Sequence, residues 1–167
     1  MSRRYLDLID RNTTGNRCDV TPLFADPVTF GEALDDLVGL IGGLTFDVVV
    51  AVDALGFILG TGIALRTGKG LVAARKGGKL PAACDAVSFV DYTGQTKTLE
   101  LRPDALRQGA RALIVDEWVE TGAQVRAVLT LIERRGASVA GIAAINIDDA
   151  ARPGLSNYPL FDLRAGG

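Results

Sequence analysis

Short apolar runs alternate with segments of helical character along most of this chain. The runs contain mostly valine, isoleucine, leucine and alanine, and they lie at 46–52, 71–74, 110–115 and 139–147. Helices are predicted over 26–40, 56–67 and 121–135, with Gly136 as the last C-cap. This alternation predicts right-handed βαβ units and a mostly parallel sheet with helices on both faces. We therefore expect a Rossmann-like α/β fold, with ligands bound beyond the carboxyl ends of the strands.

A hairpin and a polar segment interrupt this alternation. Residues 86–92 and 96–101 are predicted as two strands joined by Thr93-Gly94-Gln95, a hairpin connection. The stretch 75–81 (RKGGKLP), called the basic segment below, is too long and too charged for a tight turn. The 167 residues contain no repeat and no low-complexity linker, so we expect one domain, 1–167.

Composition excludes several classes of protein. The chain has no histidine, which rules out Ser-His-Asp and Cys-His nucleophiles and the usual histidine-containing zinc sites. A net charge of −2 does not favour a nucleic-acid-binding protein. The isolated Cys18 and Cys84 indicate a reducing compartment. The N-terminus lacks signal-peptide character and no apolar run is long enough for a membrane span, so we expect a cytoplasmic protein.

The segment 113–124 (LIVDEWVETGAQ) carries the clearest chemical signal. A hydrophobic strand ends in Asp116 and Glu117, and Thr121 and Gly122 follow at the start of a helix. Free N–H groups and the helix dipole favour a phosphate at such a helix start, while carboxylates accept hydrogen bonds from vicinal ribose hydroxyls. A phosphorylated sugar suits this arrangement. The alternative is a strand that ends in solvated acids, followed by a Thr-capped helix.

This segment resembles the phosphoribosyl-diphosphate motif of type I phosphoribosyltransferases, and the rest of the chain is most similar to the adenine phosphoribosyltransferases among them. The similar stretches follow in order: 19–26 (DVTPLFAD), 53–60 (DALGFILG), the basic segment, 98–106 and 158–161 (YPLF). The resemblance implies the type I phosphoribosyltransferase fold, a Rossmann-like parallel sheet flanked by helices. It adds a small hood from about 1–25 and 148–167, and a flexible loop at about 76–97.

The resemblance also implies a reaction and its partners. The chain would transfer the 5-phosphoribosyl group from phosphoribosyl diphosphate to a purine base, giving AMP and diphosphate with adenine. Mg²⁺ would bind mainly through ligand oxygens and water, with no dedicated protein metal site. The family commonly forms dimers, so we expect a homodimer, with no nucleic-acid or membrane partner.

By the same resemblance, most of the expected ligand contacts fall on three segments. Asp116 and Glu117 would hold the ribose hydroxyls. The 5′-phosphate would bind to Glu120, Thr121, Gly122, Ala123 and Gln124, and the diphosphate to Ala54, Leu55 and Gly56, with Arg75, Lys76 and Lys79 supplying positive charge. The Ala54–Leu55 peptide is expected to be cis.

Two acids and two residues near the N-terminus would face the base. Asp91 stands where adenine enzymes have the glutamate of a Glu-Tyr pair, and is a candidate for proton transfer or merely a polar hairpin residue. Glu120 matches an aspartate that meets the purine N7 in 6-oxopurine enzymes, and is a second catalytic candidate; the alternative is an acid favoured by the helix dipole. Arg17 and Cys18 replace the Phe-Arg pair at the base site.

Four departures from the adenine pattern keep alternatives open. Leu55 replaces the arginine of the diphosphate loop, Arg17-Cys18 removes the stacking aromatic, Gln124 replaces a threonine and Glu120 an alanine. One alternative is a non-catalytic or regulatory protein that binds phosphoribosyl nucleotides. The other is a phosphoribosyltransferase for a 6-oxopurine or another base.

Overall fold

The computed structural model describes residues 4–14 and 17–164. Its helices are α1 (Thr21–Ala25), α2 (Pro27–Leu40), α3 (Gly56–Thr67) and α4 (Ala123–Arg134), and short 3-10 turns lie at Arg4–Leu8, Pro103–Ala105 and Arg152–Leu155. The strands are β1 (Val48–Val52), β2 (Gly70–Lys76), β3 (Asp85–Val90), β4 (Thr96–Leu101), β5 (Arg111–Val115), β6 (Trp118–Val119), β7 (Ser138–Ala144), β8 (Asn146–Ile147) and β9 (Leu160–Asp162).

Seven strands form the main sheet in the order β3-β4-β2-β1-β5-β7-β9. The strands from β2 to β9 in this order pair in parallel, while β4 pairs antiparallel with both β2 and β3. This confirms the predicted Rossmann-like α/β fold class. The carboxyl ends of β1, β5 and β7 therefore lie at one edge of the sheet, where such folds bind ligands.

The central strands are apolar because both of their faces are covered. On β5, the four residues 112–115 are fully buried. Val50 and Ile114 belong to the core cluster that includes the inner face of α4, and Val49 and Leu113 to the cluster that includes α2 and α3. Successive strand residues point to opposite faces, so one strand contributes to both layers.

The predicted strand 139–147 is wrong in one respect, because it is divided into two. Main-sheet pairing ends at Ala144, and Ile145 and Asn146 donate their N–H groups to the carbonyl of Glu117 instead. Residues 146–147 then pair with 118–119 as a separate two-stranded sheet, β6–β8. This small sheet connects the loops that leave β5 and β7 at the ligand-binding edge.

The expected hood and loop segments contain regular structure. Leu23 in α1 and Tyr5 are buried in the core cluster that includes α2. Residues 160–162 form the edge strand β9, and the range 76–97 contains all of β3. Among the described residues, no helix is both long and apolar enough to cross a membrane.

Candidate active site

A cavity of about 430 Å³ opens at the carboxyl edge of the sheet. The turn after β1, the end of β2, the β3–β4 hairpin, the loop after β5 and the start of α4 meet there, together with Arg17 from the N-terminal segment. Of the predicted site residues, the cavity and the recess next to it are lined by Arg17, Ala54, Leu55, Lys76, Asp91, Asp116, Glu120, Thr121, Gly122, Ala123 and Gln124. The structure thus brings together residues that are far apart in sequence.

Five predicted site residues lie outside this lining: Cys18, Gly56, Arg75, Lys79 and Glu117. Cys18 packs against the core cluster that includes α2. Arg75 donates a hydrogen bond to the carbonyl of Lys79 at 3.1 Å. A Cβ placed on Gly56 would be 2.8 Å from the Val115 carbonyl oxygen. Gly56 therefore lets α3 approach the end of β5.

Asp116 is a buried carboxylate at the end of β5. It is 3% exposed, and it accepts hydrogen bonds from the Glu117 N–H at 2.9 Å and the Gln124 side-chain amide at 3.3 Å. Desolvation raises its pKa well above the usual value, while Arg17 opposes the shift. A ligand hydroxyl that donates to this carboxylate would favour its charged form.

Glu117 does not line the cavity and forms an ion pair with Arg17. The carboxylate is buried, with 1% of the residue exposed, so a counter-charge is needed to offset the cost of desolvation. The Arg17 guanidinium also lies 3.7 Å from the Glu120 carboxylate. Arg17 thus joins the N-terminal segment to the loop after β5.

The start of α4 has the properties of a phosphate cradle. The N-cap is Gly122, with φ of 73°, and a glycine offers no side chain to cap the first turn. Its conformation lies in the left-handed region, which side chains rarely adopt. Ala123 N–H donates to the Thr121 hydroxyl at 3.3 Å. The predicted helix over 121–135 begins at Ala123, so Thr121 and Gly122 precede it.

Glu120 lines the cavity next to this cradle. Its side chain is 20% exposed, and its Oε1 atom is buried without a hydrogen-bond partner among the described residues. Desolvation raises the pKa of this carboxyl group, and Arg17 partly opposes the shift. A buried acceptor of this kind is stabilised by an N–H donor from a ligand.

The turn after β1 contains a non-proline cis peptide between Asp53 and Ala54. The prediction of a cis bond at Ala54–Leu55 is therefore wrong by one residue. The Asp53 carboxylate accepts a hydrogen bond from the Lys76 N–H at 3.3 Å and lies 3.7 Å from the Arg75 guanidinium. The end of β1 is thereby tied to the basic segment.

Asp91 lies at the cavity, but its carboxylate is occupied by the hairpin turn. The Asp91 Oδ1 atom accepts hydrogen bonds from the Thr93 N–H and hydroxyl, at 2.8 and 2.6 Å, and from the Gln95 N–H at 3.0 Å. The Thr93 hydroxyl is the main cause of its lowered pKa. These contacts favour the interpretation of Asp91 as a polar hairpin residue.

Sequence reasoning missed three contributors to the cavity wall. Phe89 and Lys97 come from the hairpin strands, and Asp53 precedes the diphosphate-loop residues that the resemblance identified. Trp118 is 4% exposed and also lines the cavity. A strand pattern does not say which face of a hairpin covers a ligand site, so Phe89 and Lys97 gave no signal.

The sequence matches the phosphoribosyl transferase domain family over residues 31–163. The chain belongs to this family. It is 42% identical over 146 residues to an adenine phosphoribosyltransferase of Salinispora arenicola, covering 87% of this chain and 77% of that protein. The adenine phosphoribosyltransferase of Chlorobium luteolum is 42% identical over 153 residues, covering 88% and 86%.

Solved structures give the same family. The crystal structure of adenine phosphoribosyltransferase from Thermoanaerobacter pseudethanolicus has a TM-score of 0.88 at 30% identity and covers 96% of each chain. The Saccharomyces cerevisiae enzyme, complexed with an imino-altritol bisphosphate and adenine, has a TM-score of 0.83 at 26% identity, covering 98% of this chain and 99% of that one. The predicted membership of the phosphoribosyltransferase family is confirmed.

Proposed function

We propose that this chain transfers the 5-phosphoribosyl group from phosphoribosyl diphosphate to adenine, which yields AMP and diphosphate. One observation carries the proposal: Asp116 and the phosphate cradle at α4 line connected space at the end of the sheet, opposite the turn after β1. Identity of about 40% to adenine phosphoribosyltransferases over most of the chain favours adenine as the base.

Each part of the donor has a matching part of the cavity wall. The 5′-phosphate would bind the helix start at Thr121, Gly122 and Ala123, where N–H groups and the helix dipole favour an anion. The ribose hydroxyls would donate to Asp116. The diphosphate would lie between the Ala54–Leu55 backbone and Lys76, which line the same cavity.

The reaction breaks the bond between ribose C1 and diphosphate and forms a bond from C1 to a base nitrogen. Positive charge develops on the sugar, and negative charge on the leaving group. The protein's contribution is to align the two partners, exclude water and stabilise these charges. Asp116 would hold the sugar, Lys76 would stabilise the departing diphosphate, and the aromatic Phe89 and Trp118 would keep water from the base.

Mg²⁺ would accompany the diphosphate. In the described part of the chain, no group of three or more Cys, Asp or Glu residues could hold a metal ion. Mg²⁺ that is bound mainly by ligand oxygens and water, as it commonly is with phosphates, needs no such group. When bound, it would neutralise part of the leaving-group charge, and Lys76 would supply the remaining positive charge from the protein.

The base would lie between Trp118, Arg17 and Glu120. A guanidinium can stack on an aromatic ring, so Arg17 would take the place of the aromatic residue of adenine enzymes. Cys18, which packs against the core rather than lining the cavity, would support Arg17. The buried Glu120 oxygen has no hydrogen-bond partner among the described residues, which favours a second candidate, a 6-oxopurine, because such a base carries an N1–H donor that adenine lacks.

We further propose a homodimer in the cytoplasm, with the hood and the flexible loop assigned above and with no nucleic-acid or membrane partner. Exposed apolar side chains on α3 and β2, Ile58, Leu65 and Leu71, support a subunit interface, and their exposed fractions are 39%, 79% and 42%. Light scattering at assay concentration tests the dimer, and the mass of a single chain would contradict it.

The activity is tested by incubating the protein with Mg²⁺, phosphoribosyl diphosphate and either adenine, hypoxanthine or guanine. Diphosphate release and the nucleotide product are both measured. We expect release with adenine and formation of AMP. Release only with hypoxanthine or guanine would support the 6-oxopurine candidate. Binding of phosphoribosyl diphosphate without release for any base would support a non-catalytic binding protein.

A further inference from the structure

The basic segment is folded around a carboxylate from a different strand. Glu100 on β4 accepts a hydrogen bond from the Gly78 N–H at 2.7 Å and another from the Leu80 N–H at 3.5 Å. Its neighbours Leu99 and Leu101 are fully buried, so the alternation of the strand turns Glu100 to the opposite face. Glu100 pairs with Arg75 in the β2–β4 register, which places its carboxylate beside the start of the segment.

Two glycines let the backbone of the segment reach this carboxylate. Gly78 has a φ of 75°, a left-handed conformation that turns neighbouring N–H groups toward one acceptor. A Cβ on Gly77 would lie 3.1 Å from the Thr98 Cβ, and the Gly77 N–H donates to the Thr98 carbonyl at 2.9 Å. The hydrogen bond from Gly78 is the main reason that the pKa of Glu100 is lowered, so Glu100 stays ionised.

The other end of the segment is fixed at the cavity. Lys76, the last residue of β2, donates its N–H to Asp53 at 3.3 Å and lines the cavity with Ala54 and Leu55. Arg75 donates to the Lys79 carbonyl at 3.1 Å, which closes the segment on itself. Glu100 and Asp53 therefore hold the basic segment from its two ends. Of the segment's three cations, Arg75, Lys76 and Lys79, Lys76 is the one that lines the cavity.

We propose that Glu100 is a positioning residue for binding of the diphosphate group, acting through the backbone of the basic segment and not through contact with substrate. The identity of the anion rests on the proposed function. The direction in which diphosphate affinity changes distinguishes a positioning role from simple charge repulsion. A carboxylate near an anion site weakens anion binding by repulsion, so a purely electrostatic neighbour would bind diphosphate more tightly once neutralised. If Glu100 positions the segment, its removal should instead weaken diphosphate binding.

The test measures affinity for Mg²⁺-diphosphate and for ribose 5-phosphate by calorimetry in Glu100→Ala and Glu100→Gln. We expect diphosphate to bind roughly five- to tenfold more weakly to Glu100→Ala, with Glu100→Gln between it and the wild type. Ribose 5-phosphate should bind unchanged, because its phosphate contacts the start of α4. Asp104→Asn is the charge control. It removes an exposed acid that is paired with Arg102, and it should change neither affinity.

A second measurement does not depend on any ligand. Trypsin should cleave after Lys76 and Lys79 several-fold faster in Glu100→Ala than in the wild type, because the segment loses its acceptor. Gly78→Ala perturbs the hydrogen bond to Glu100 from the donor side and should also make trypsin cleavage faster. Gly109→Ala is its control, since Gly109 has a similar φ of 77° and equally open space around its Cβ.

The possible outcomes distinguish failure of the positioning role of Glu100 from failure of the proposed function. Equal or tighter diphosphate binding in Glu100→Ala, or unchanged cleavage, would overturn the positioning role. Equal weakening of ribose 5-phosphate would also overturn it, because that result would indicate general damage. If Glu100→Ala does not fold, Glu100→Gln and Gly78→Ala decide the question. If the wild type binds no diphosphate, the proposed function fails, and the trypsin measurement still tests whether Glu100 orders the segment.

Discussion

The side-chain amide of Gln124 donates a hydrogen bond to the Asp116 carboxylate at 3.3 Å, from the first turn of α4 to the end of β5. The two elements that would hold the phosphate and the ribose are thereby joined directly. The resemblance to adenine enzymes placed Gln124 in the phosphate cradle. In the structure the longer side chain reaches back to the ribose acid, which gives this chain a contact that a threonine is too short to make.

Gln124→Leu should move the pH dependence of ligand binding. The amide stabilises the ionised form of Asp116, and burial already raises the pKa of Asp116. Without the amide that pKa rises further, so affinity for ribose 5-phosphate should begin to fall at a higher pH than in the wild type. The other charged groups that act on Asp116, Arg17, Lys76 and Glu120, remain in place.

Calorimetric titrations at several pH values would measure this shift. The ligand phosphate itself titrates near pH 6, so the comparison is between proteins at each pH. Gln108→Leu, which changes an exposed glutamine away from the cavity, is the control and should follow the wild type. Superimposable profiles for all three proteins would show that the amide does not affect the titration of Asp116.

Asp116→Asn should separate stability from function. Loss of the carboxylate acceptor should weaken ribose 5-phosphate binding roughly ten- to a hundredfold, the usual value of a charged hydrogen bond. The pKa of Asp116 is higher in the folded chain than in the unfolded chain, so its stabilising contribution is present at low pH and is lost as pH rises through the folded value. At neutral pH the ligand-free variant should therefore melt at a higher temperature than the wild type. A lower melting temperature would contradict this reading of Asp116.

The sequence was sufficient for those parts of the fold that depend on local pattern. The buried runs at β1 and β5 were predicted because residues covered on both faces must be apolar. The start of α4 was predicted to within two residues, because a helical period follows Thr121 and Gly122. The division of 139–147 was not, since Ile145 continues the apolar pattern and the partner of Ile145 and Asn146 is the distant Glu117 carbonyl.

For the side chains of the site, too, the sequence predicted groups of residues that are adjacent in the chain and missed contacts between distant ones. The motif identified Asp116 and Gly122 because strand end and helix start are adjacent in sequence. It assigned Glu117 to the ribose as well, whereas the structure turns that side chain to Arg17, a hundred positions earlier in the chain and unrecognisable as a partner from spacing. The ribose role of Glu117 stays a prediction. The same holds for Asp91, whose turn contacts a sequence pattern does not reveal.

Gly122→Val should abolish phosphate binding at the cradle. The residue has a φ of 73°, and a Cβ would lie 3.0 Å from an Arg126 guanidinium nitrogen and 3.4 Å from Leu155. The left-handed conformation alone costs about 1–2 kcal/mol for a side-chain-bearing residue. Gly68→Val shares the backbone penalty, with a φ of 65° and nothing within 4 Å of its Cβ. Both variants should lose stability, and only Gly122→Val should lose affinity for ribose 5-phosphate; equal affinity in the two would refute the cradle.

Leu55→Arg should strengthen binding of the diphosphate. Leu55 lines the cavity where the related adenine enzymes are expected to have an arginine, and it is the N-cap residue of α3. A guanidinium there would add a charge-assisted hydrogen bond, lowering the KM for phosphoribosyl diphosphate by roughly tenfold. A cation at a helix start costs stability of about 0.3–1 kcal/mol. Leu55→Met preserves the apolar character and should leave KM unchanged, and no difference between the two variants would place the diphosphate elsewhere.

Glu120→Gln tests the base end of the cavity. Desolvation raises the pKa of Glu120, Arg17 lowers it, and Asp148 and Asp91 raise it further. If the carboxylate takes a proton from the base, the rate in the wild type should fall as pH drops through this raised pKa, because only the ionised form accepts the proton.

The glutamine isostere keeps the volume of Glu120 but cannot accept a proton. We expect kcat to fall about a hundredfold, the lower range of general-base contributions, and the acid limb of the pH–rate profile to disappear. Glu133→Gln, on the far end of α4 beside Tyr158, removes the same charge outside the cavity and should keep both the rate and the profile. If Glu120→Gln matches that control, Glu120 is an acid favoured by the helix dipole, and the proton must leave the base by another route.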